Sequence, residues 1–184
     1  HPGSHMGEGE EAGLERIALA LQSAIADTPN YRVRICLETM AGQGSNLGDR
    51  FEHLAYLLNA VNRPERMGVC FDTCHVFAAG YDLRSAEAYQ QTMAQFDEII
   101  GLDQLYCFHF NDSKHELGSH KDRHEHIGRG YLGAEAFAQF INDPRWENHV
   151  ACLETAETEK GEDGQEINMD LVNLATLRAL RRIK

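Results

Sequence analysis

Apolar positions along this chain follow two alternating rhythms. Between Glu8 and Ala26 they recur at Leu14, Ile17, Ala18, Leu21, Ala24 and Ile25, the three-to-four-residue spacing of a helix with one buried face, and the Asp27–Asn30 turn with its proline stops it. Residues 32–38, Arg-Val-Arg-Ile-Cys-Leu-Glu, then read as a short strand. Leu47, Phe51, Leu54, Leu57, Leu58 and Val61 predict a helix over Ser45–Asn62, closed by Arg63-Pro64. Met67–Asp72 is a second strand, and Ser85–Ile100 a helix with Ser85 as N-cap and Glu87 in its first turn. Leu105–Asn111 reads as a third strand, Gly133–Asn142 as a helix stopped by Asp143-Pro144, and His149–Thr155 as a fourth strand. Asn168–Ile183 is the last helix.

One helix followed by four strand–helix units, with strands apolar throughout, predicts an α/β protein whose parallel sheet is covered by helices. The length of 184 residues suits a single domain. The opening His-Pro-Gly-Ser-His-Met reads as an expression-tag remnant, residues 1–6, which leaves residues 7–184 as the domain and disfavours His1 and His5 as ligands at vacant metal positions.

Composition narrows the partners. A net charge of -12 argues against a broad nucleic-acid-binding surface, although divalent cations would make one pocket locally positive. No apolar run approaches the roughly 20 residues that span a bilayer, and nothing resembles a signal peptide, so an intracellular, cytoplasmic protein without a membrane partner is expected. The five cysteines are odd in number and sit mostly in apolar runs, which reads as reduced core residues.

Candidate chemistry collects at the strand ends. Glu38, Asp72, His109 and Glu154 each stand at or next to the carboxyl end of a predicted strand, the end that forms the active face in parallel α/β folds and converges on one pocket in a (β/α)8 barrel. One such acid is ordinarily a helix cap; four successive ligand-type residues point to metal. The polar loop after the third strand adds His120, Asp122, His124 and His126, and His75 follows Asp72 by one helical turn. Carboxylates mixed with imidazoles suit Zn(II), Mn(II) or Fe(II) better than Ca(II). His75, Asp122 and His124 form one candidate set, and Glu38, Asp72, His109 and Glu154 another. Neighbouring ions would serve phosphodiester hydrolysis or the carbonyl polarisation of a sugar isomerase, and these residues alone leave both open. Lys114, Lys121 and Arg123 are candidate phosphate contacts, read equally well as solvated or salt-bridged. His120 and His126 read as loop polar residues, His53 and His149 as structural.

The runs Glu38–Gly48, Gly68–Asp82, His109–Lys114, Gly118–His124, Ile127–Gly133 and Leu153–Thr155 resemble the signature blocks of the endonuclease IV family, and the resemblance extends to the C-terminus. It implies a trinuclear zinc (β/α)8 TIM barrel that hydrolyses double-stranded DNA 5′ to abasic sites during base excision repair, a nucleoid-associated function. It also implies roles: Glu38 bridging two zincs and orienting the attacking hydroxide, Asp72, His109 and Glu154 completing the second zinc, and His75, Asp122 and His124 holding the third. The chain supplies one helix and four βα units, the C-terminal half of such a barrel. Two zinc sites would then be complete while the first keeps only Glu38. Open sheet edges are expected to favour a homodimer or pairing with a complementary N-terminal half-barrel. A metal-binding half-barrel without catalysis is the alternative; a sugar isomerase is disfavoured by the Asp122-Arg123-His124 block.

Overall fold

The computed structural model describes residues 1–182, so the predicted helix end at Ile183 lies outside the described residues. Helix α1 (Glu10–Ala26) precedes strand β1 (Ile35–Glu38), helix α2 (Phe51–Val61) and strand β2 (Met67–Asp72). Next come α3 (Thr73–Ala79), α4 (Ala86–Ile99), β3 (Leu105–His109), α5 (Ala134–Asn142), β4 (Val150–Cys152) and α6 (Met169–Ala179). The four strands pair in sequence order, all parallel, with Glu38 opposite Cys70, Asp72 opposite His109 and His109 opposite Cys152. A helix occupies each crossover, as parallel neighbours require, and α2, α4 and α5 pack against one another in turn.

Burial explains why these segments form. All six residues of β2 are buried, which suits a central strand, and Phe71 packs against Phe96 of α4 and Phe140 of α5. Phe108 meets Phe71, Phe140 and Trp146 on that same helix-facing side. Ser85 caps α4 by accepting the Ala88 amide.

Strand β3 contains one residue too many for strict alternation. Val69 pairs with Leu105 but Cys70 pairs with Cys107, so Tyr106 is a bulge residue. Its ring lies over Gly68, where a Cβ would come within 2.3 Å of it, and the Arg34 guanidinium stacks 3.9 Å from the ring centroid. Gly68 is required by that close approach.

Residues 1–6, read from the sequence as a tag remnant, pair with the rest of the chain. Gly3 and Ser4 pair antiparallel with Leu47 and Asn46, the His5 amide donates to the Ser45 carbonyl, and the Ser4 and Ser45 hydroxyls are 2.6 Å apart. A side chain at Gly13 would strike His5. That pairing also explains why Ser45–Arg50 is not helical as predicted: Asn46 and Leu47 form a bridge, Gly48 has φ 110°, and α2 starts at Phe51. Three further features escape the periodicity. They are the seven-residue α3, an Asp112–Ser113/His124–Glu125 bridge and a Thr158–Lys160/Glu166–Asn168 hairpin.

Candidate metal centre

The ends of β1, β2 and β3 and the start of the loop after β4 deliver Glu38, Asp72, His109 and Glu154 to one place. Ligand-type atoms of all four lie within 4.8 Å of one another. His109 Nδ1 is 3.0 Å from Glu38 Oε1, 3.0 Å from Glu154 Oε2 and 3.8 Å from Asp72 Oδ2. Strand register sets this geometry, because Asp72 and His109 are paired neighbours.

A second set sits beside it. His75, on the first turn of α3, and Asp122 and His124, from the polar loop, approach with Nε2–Oδ1 distances of 3.1 and 3.4 Å and an Nε2–Nε2 distance of 3.3 Å. The Nδ1 of His75 donates to the Thr39 carbonyl at 2.9 Å, and that of His124 to the Glu154 carbonyl at 3.1 Å. In the neutral rings both Nε2 atoms are therefore bare lone pairs aimed at each other and at a carboxylate. Such facing donors fit a cation, and the Nδ1–carbonyl bonds are the kind that fix a metal-ligating imidazole.

The sequence disfavours His1 as a ligand; the structure places it with the site. Its Nε2 is 3.6 Å from Glu38 Oε2, and His1, Glu38 and His75 form a third group of ligand-type atoms. Since His75 Nδ1 is engaged by Thr39, His1 and Glu38 are what remains for that position. Glu38 thus faces His109 with Oε1 and His1 with Oε2.

Buried polar groups hold these side chains. The Asp72 carboxylate, fully buried, caps α3 by accepting the His75 amide at Oδ1 and accepts Asn111 Nδ2 at Oδ2, 2.6 Å away. Asn111 Oδ1 in turn accepts the Glu154 amide at 2.9 Å, so one amide side chain spaces two ligands. Thr39 Oγ1 accepts the Asp72 amide, and Thr73 Oγ1 bonds the Asn111 backbone. Asp112 accepts five backbone amides, those of Ser113, Gly128, Gly130, Leu132 and Gly133. A Cβ on Gly130 would come within 2.3 Å of the Ser113 carbonyl. Asn111 and Asp112 lie inside the quoted blocks, but no spacing rule distinguishes them from ligands.

Electrostatics of the metal-free cluster follow from crowding. Burial pushes the Glu38 carboxyl up, but the His109 and His75 rings outweigh it and hold the pKa at about 2. Burial lowers His75, yet Asp72, Asp122 and Glu38 around it raise it to about 11. Asp72 is pushed up by burial against the attraction of His75 and His124.

The remaining candidates are peripheral. Lys114, Lys121 and Arg123 are exposed; the Arg123 carbonyl accepts the Lys114 amide, and its guanidinium turns to the Asp122 carbonyl. His120 Nδ1 contacts the Ala41 carbonyl, His53 accepts the Gly48 amide, and His149 reaches the Leu105 carbonyl. His126 is buried between Asn173 and Glu159. The cysteines are free, but only Cys70 and Cys74 are buried; Cys36 and Cys107 are half-buried and Cys152 is exposed, a departure from the core reading. Among the described residues no helix is long and apolar enough to cross a membrane.

A model of the xylose isomerase-like TIM barrel family matches residues 1–174. The chain is 55% identical over 178 residues, 97% of its length, to a protein from Geotalea daltonii named Probable endonuclease 4, of which it covers 60%. It is 51% identical over 183 residues to a protein of the same name from Chloroflexus aggregans, covering 62% of it. The crystal structure of endonuclease IV from Thermus thermophilus matches with a TM-score of 0.78 at 32% identity, over 98% of this chain and 59% of that one. The resemblance read from the sequence blocks is borne out, and the chain spans about 60% of the length of the curated relatives it matches.

Proposed function

We propose, for a chain that belongs to the xylose isomerase-like TIM barrel family, that it carries the metal-binding wall of a DNA repair endonuclease acting 5′ to abasic sites. One observation carries the reading most directly. Glu38 presents its two oxygens to two different histidines, as a carboxylate shared between neighbouring ions would. The donor chemistry, carboxylate and imidazole without thiolate, suits ions of the zinc class. Glu38, Asp72, His109 and Glu154 would hold one ion, His75, Asp122 and His124 a second, and His1 with Glu38 part of a third.

When bound, such ions supply a water of lowered pKa and neutralise charge at the attacking and leaving oxygens of the phosphodiester. This chain's own groups orient and exclude. Glu38, kept ionised by His109 and His75, would bridge two ions and orient the attacking hydroxide. Asn111 keeps the Asp72 and Glu154 positions in step. Lys114, Lys121 and Arg123, exposed beside the loop, are the cations available to DNA phosphates.

The sheet ends at β1 and β4 and spans four strands, and the chain covers about 60% of its relatives, which supports a half-barrel organisation. A second copy or a complementary set of strands would pair with those edges. Light scattering at micromolar concentration should show association, and a well-behaved monomer sinks that part.

Cleavage of duplex DNA containing an abasic site, with and without added Zn(II), tests the activity. Zinc-dependent cleavage lost in Glu38→Gln supports the reading. Metal-loaded protein that binds zinc but does not cut favours a metal-binding scaffold without catalysis.

A further inference from the structure

Glu154 sits beyond the reach of the sheet. Strand β4 ends at Cys152, two residues earlier, and the Glu154 side chain is 42% exposed where Glu38 and Asp72 are buried. Two bonds hold its backbone: the amide donates to Asn111 Oδ1, and the carbonyl accepts from His124 Nδ1. The His124 bond joins the loop after β3 to the loop after β4 at a single point, about which either could pivot. A second, buried junction joins the same two loops. Asn173 of α6, 1% exposed, accepts the Ile127 amide at Oδ1 and donates from Nδ2 to His126 Nδ1 and Thr155 Oγ1, at 3.0, 3.0 and 2.9 Å. His126 and Ile127 follow closely on His124, and Thr155 follows Glu154 directly.

Helix packing alone does not call for an amide here. Met169, Asn173 and Leu177 form the buried stripe of α6, a place that an apolar side chain would fill without the cost of burying a polar group. The amide orientation is fixed because Oδ1 accepts from Ile127. The neutral His126 ring therefore accepts at Nδ1 and carries its proton on Nε2, which points at Glu159 Oε1 3.1 Å away. Glu125, His126 and Glu159 bring ligand-type atoms together, yet this tautomer turns a proton rather than a lone pair toward Glu159. His126 is thus a link between loops and not a ligand. We propose, resting on the metal-binding reading above, that Asn173 is a positioning residue for the metal centre. It locks the loop that carries His124 to the loop that carries Glu154, and so sets the separation of donors that serve two different ions.

Zinc affinity of the full chain, measured by competition with a chromophoric chelator, tests the assignment. Asn173→Ala should bind at least about tenfold more weakly than the parent, the scale on which groups that hold metal ligands in place act. Leu177→Ala, which opens a void on the same buried stripe, should lose stability in denaturant melts and keep the parent's affinity. Thr155→Val removes the acceptor of one Asn173 bond and should weaken binding by a smaller factor. The double variant Asn173→Ala/Thr155→Val should then bind no more weakly than Asn173→Ala, because both changes act through one contact. Parent-like affinity in Asn173→Ala, an equal loss in Leu177→Ala, or additive losses in the double variant overturns the proposal. Should Asn173→Ala lose its native far-ultraviolet circular dichroism, Thr155→Val decides, and unchanged affinity there overturns it. A parent that binds no zinc overturns the metal-binding reading and the role of Asn173 with it, whereas a zinc-binding parent matched by Asn173→Ala overturns that role alone.

Discussion

On the helix-facing side of the sheet Val69, Phe71, Leu105 and Phe108 are each at most 2% exposed, whereas on the inward side Tyr106, Val150 and Cys152 reach solvent. Both sides are built from residues of the same strands. The helix-facing side owes its order to apolar contact, which is insensitive to direction. The inward side is ordered by directed bonds among buried polar groups, Thr39, Asp72, Thr73 and Asn111, which fix where ligand atoms point. Damage to one side should therefore strike the fold, and damage to the other the chemistry.

Phe108→Ala tests the first half of that contrast. Truncating a buried ring that touches Phe71, Phe140 and Trp146 should destabilise the chain by about 3–5 kcal/mol in denaturant melts. A loss under about 1 kcal/mol would mean that the sheet is not held from its helix side.

On the inward side the metal-free chain should respond to pH through His75. Its folded pKa, raised from 6.5 to about 11, means that the folded state binds more protons than the unfolded one between those values. The stabilisation is complete below pH 6.5 and is lost as pH rises toward 11. Thermal melts in chelator should show a falling Tm from about pH 7 to about pH 10, and His75→Gln should flatten it. A parent Tm that rises across that range contradicts the crowding of carboxylates around this ring.

Asp112 is the inward side's structural exception. Asn can accept with only one oxygen and would turn an amino group toward backbone amides, so Asp112→Asn should cost about 2–3 kcal/mol, the scale of lost bonds to a charged group. It should also speed hydrogen exchange across residues 128–133.

Asn111→Ala should leave the fold standing and lower zinc affinity roughly 10–100-fold, measured against a chromophoric chelator, because Asp72 and Glu154 lose their common spacer. Unchanged affinity would show that strand register alone positions the ligands. Val150→Thr, at a residue 62% exposed, should shift stability by no more than about 0.5 kcal/mol.

What the sequence made legible was local. Strand β2 runs over Met67–Asp72 as predicted because six buried residues leave no competing period, and Ser85 caps its helix as its type demands. The strand-end ligands were legible for a related reason, since each directly follows an apolar run. Helix α3 was missed because seven residues buried nearly all round show no amphipathic rhythm. His1 was missed because its place depends on a two-residue bridge to Asn46 and Leu47, a contact between segments far apart in the chain that no local pattern encodes. Asn111 and Asp112 were hidden differently: their value lies in which buried amides and carboxylates they meet, and that is decided only once the loops close.

Tyr106 carries a consequence for how this strand tolerates change in length. Leu105 faces the helices and Cys107 and His109 face inward, so without Tyr106 the strand would alternate in step from Leu105 onward. Deleting the tyrosine would leave every other residue of the strand on its present side. Deleting Cys107 would also restore alternation, but only by seating the tyrosine where the thiol now stands, and deleting Phe108 would turn Cys107 toward the helices in place of a core ring. Tyr106 is therefore the position of strand β3 whose loss leaves every remaining residue in its present place on its present face, and it lies below the ligand rather than at it.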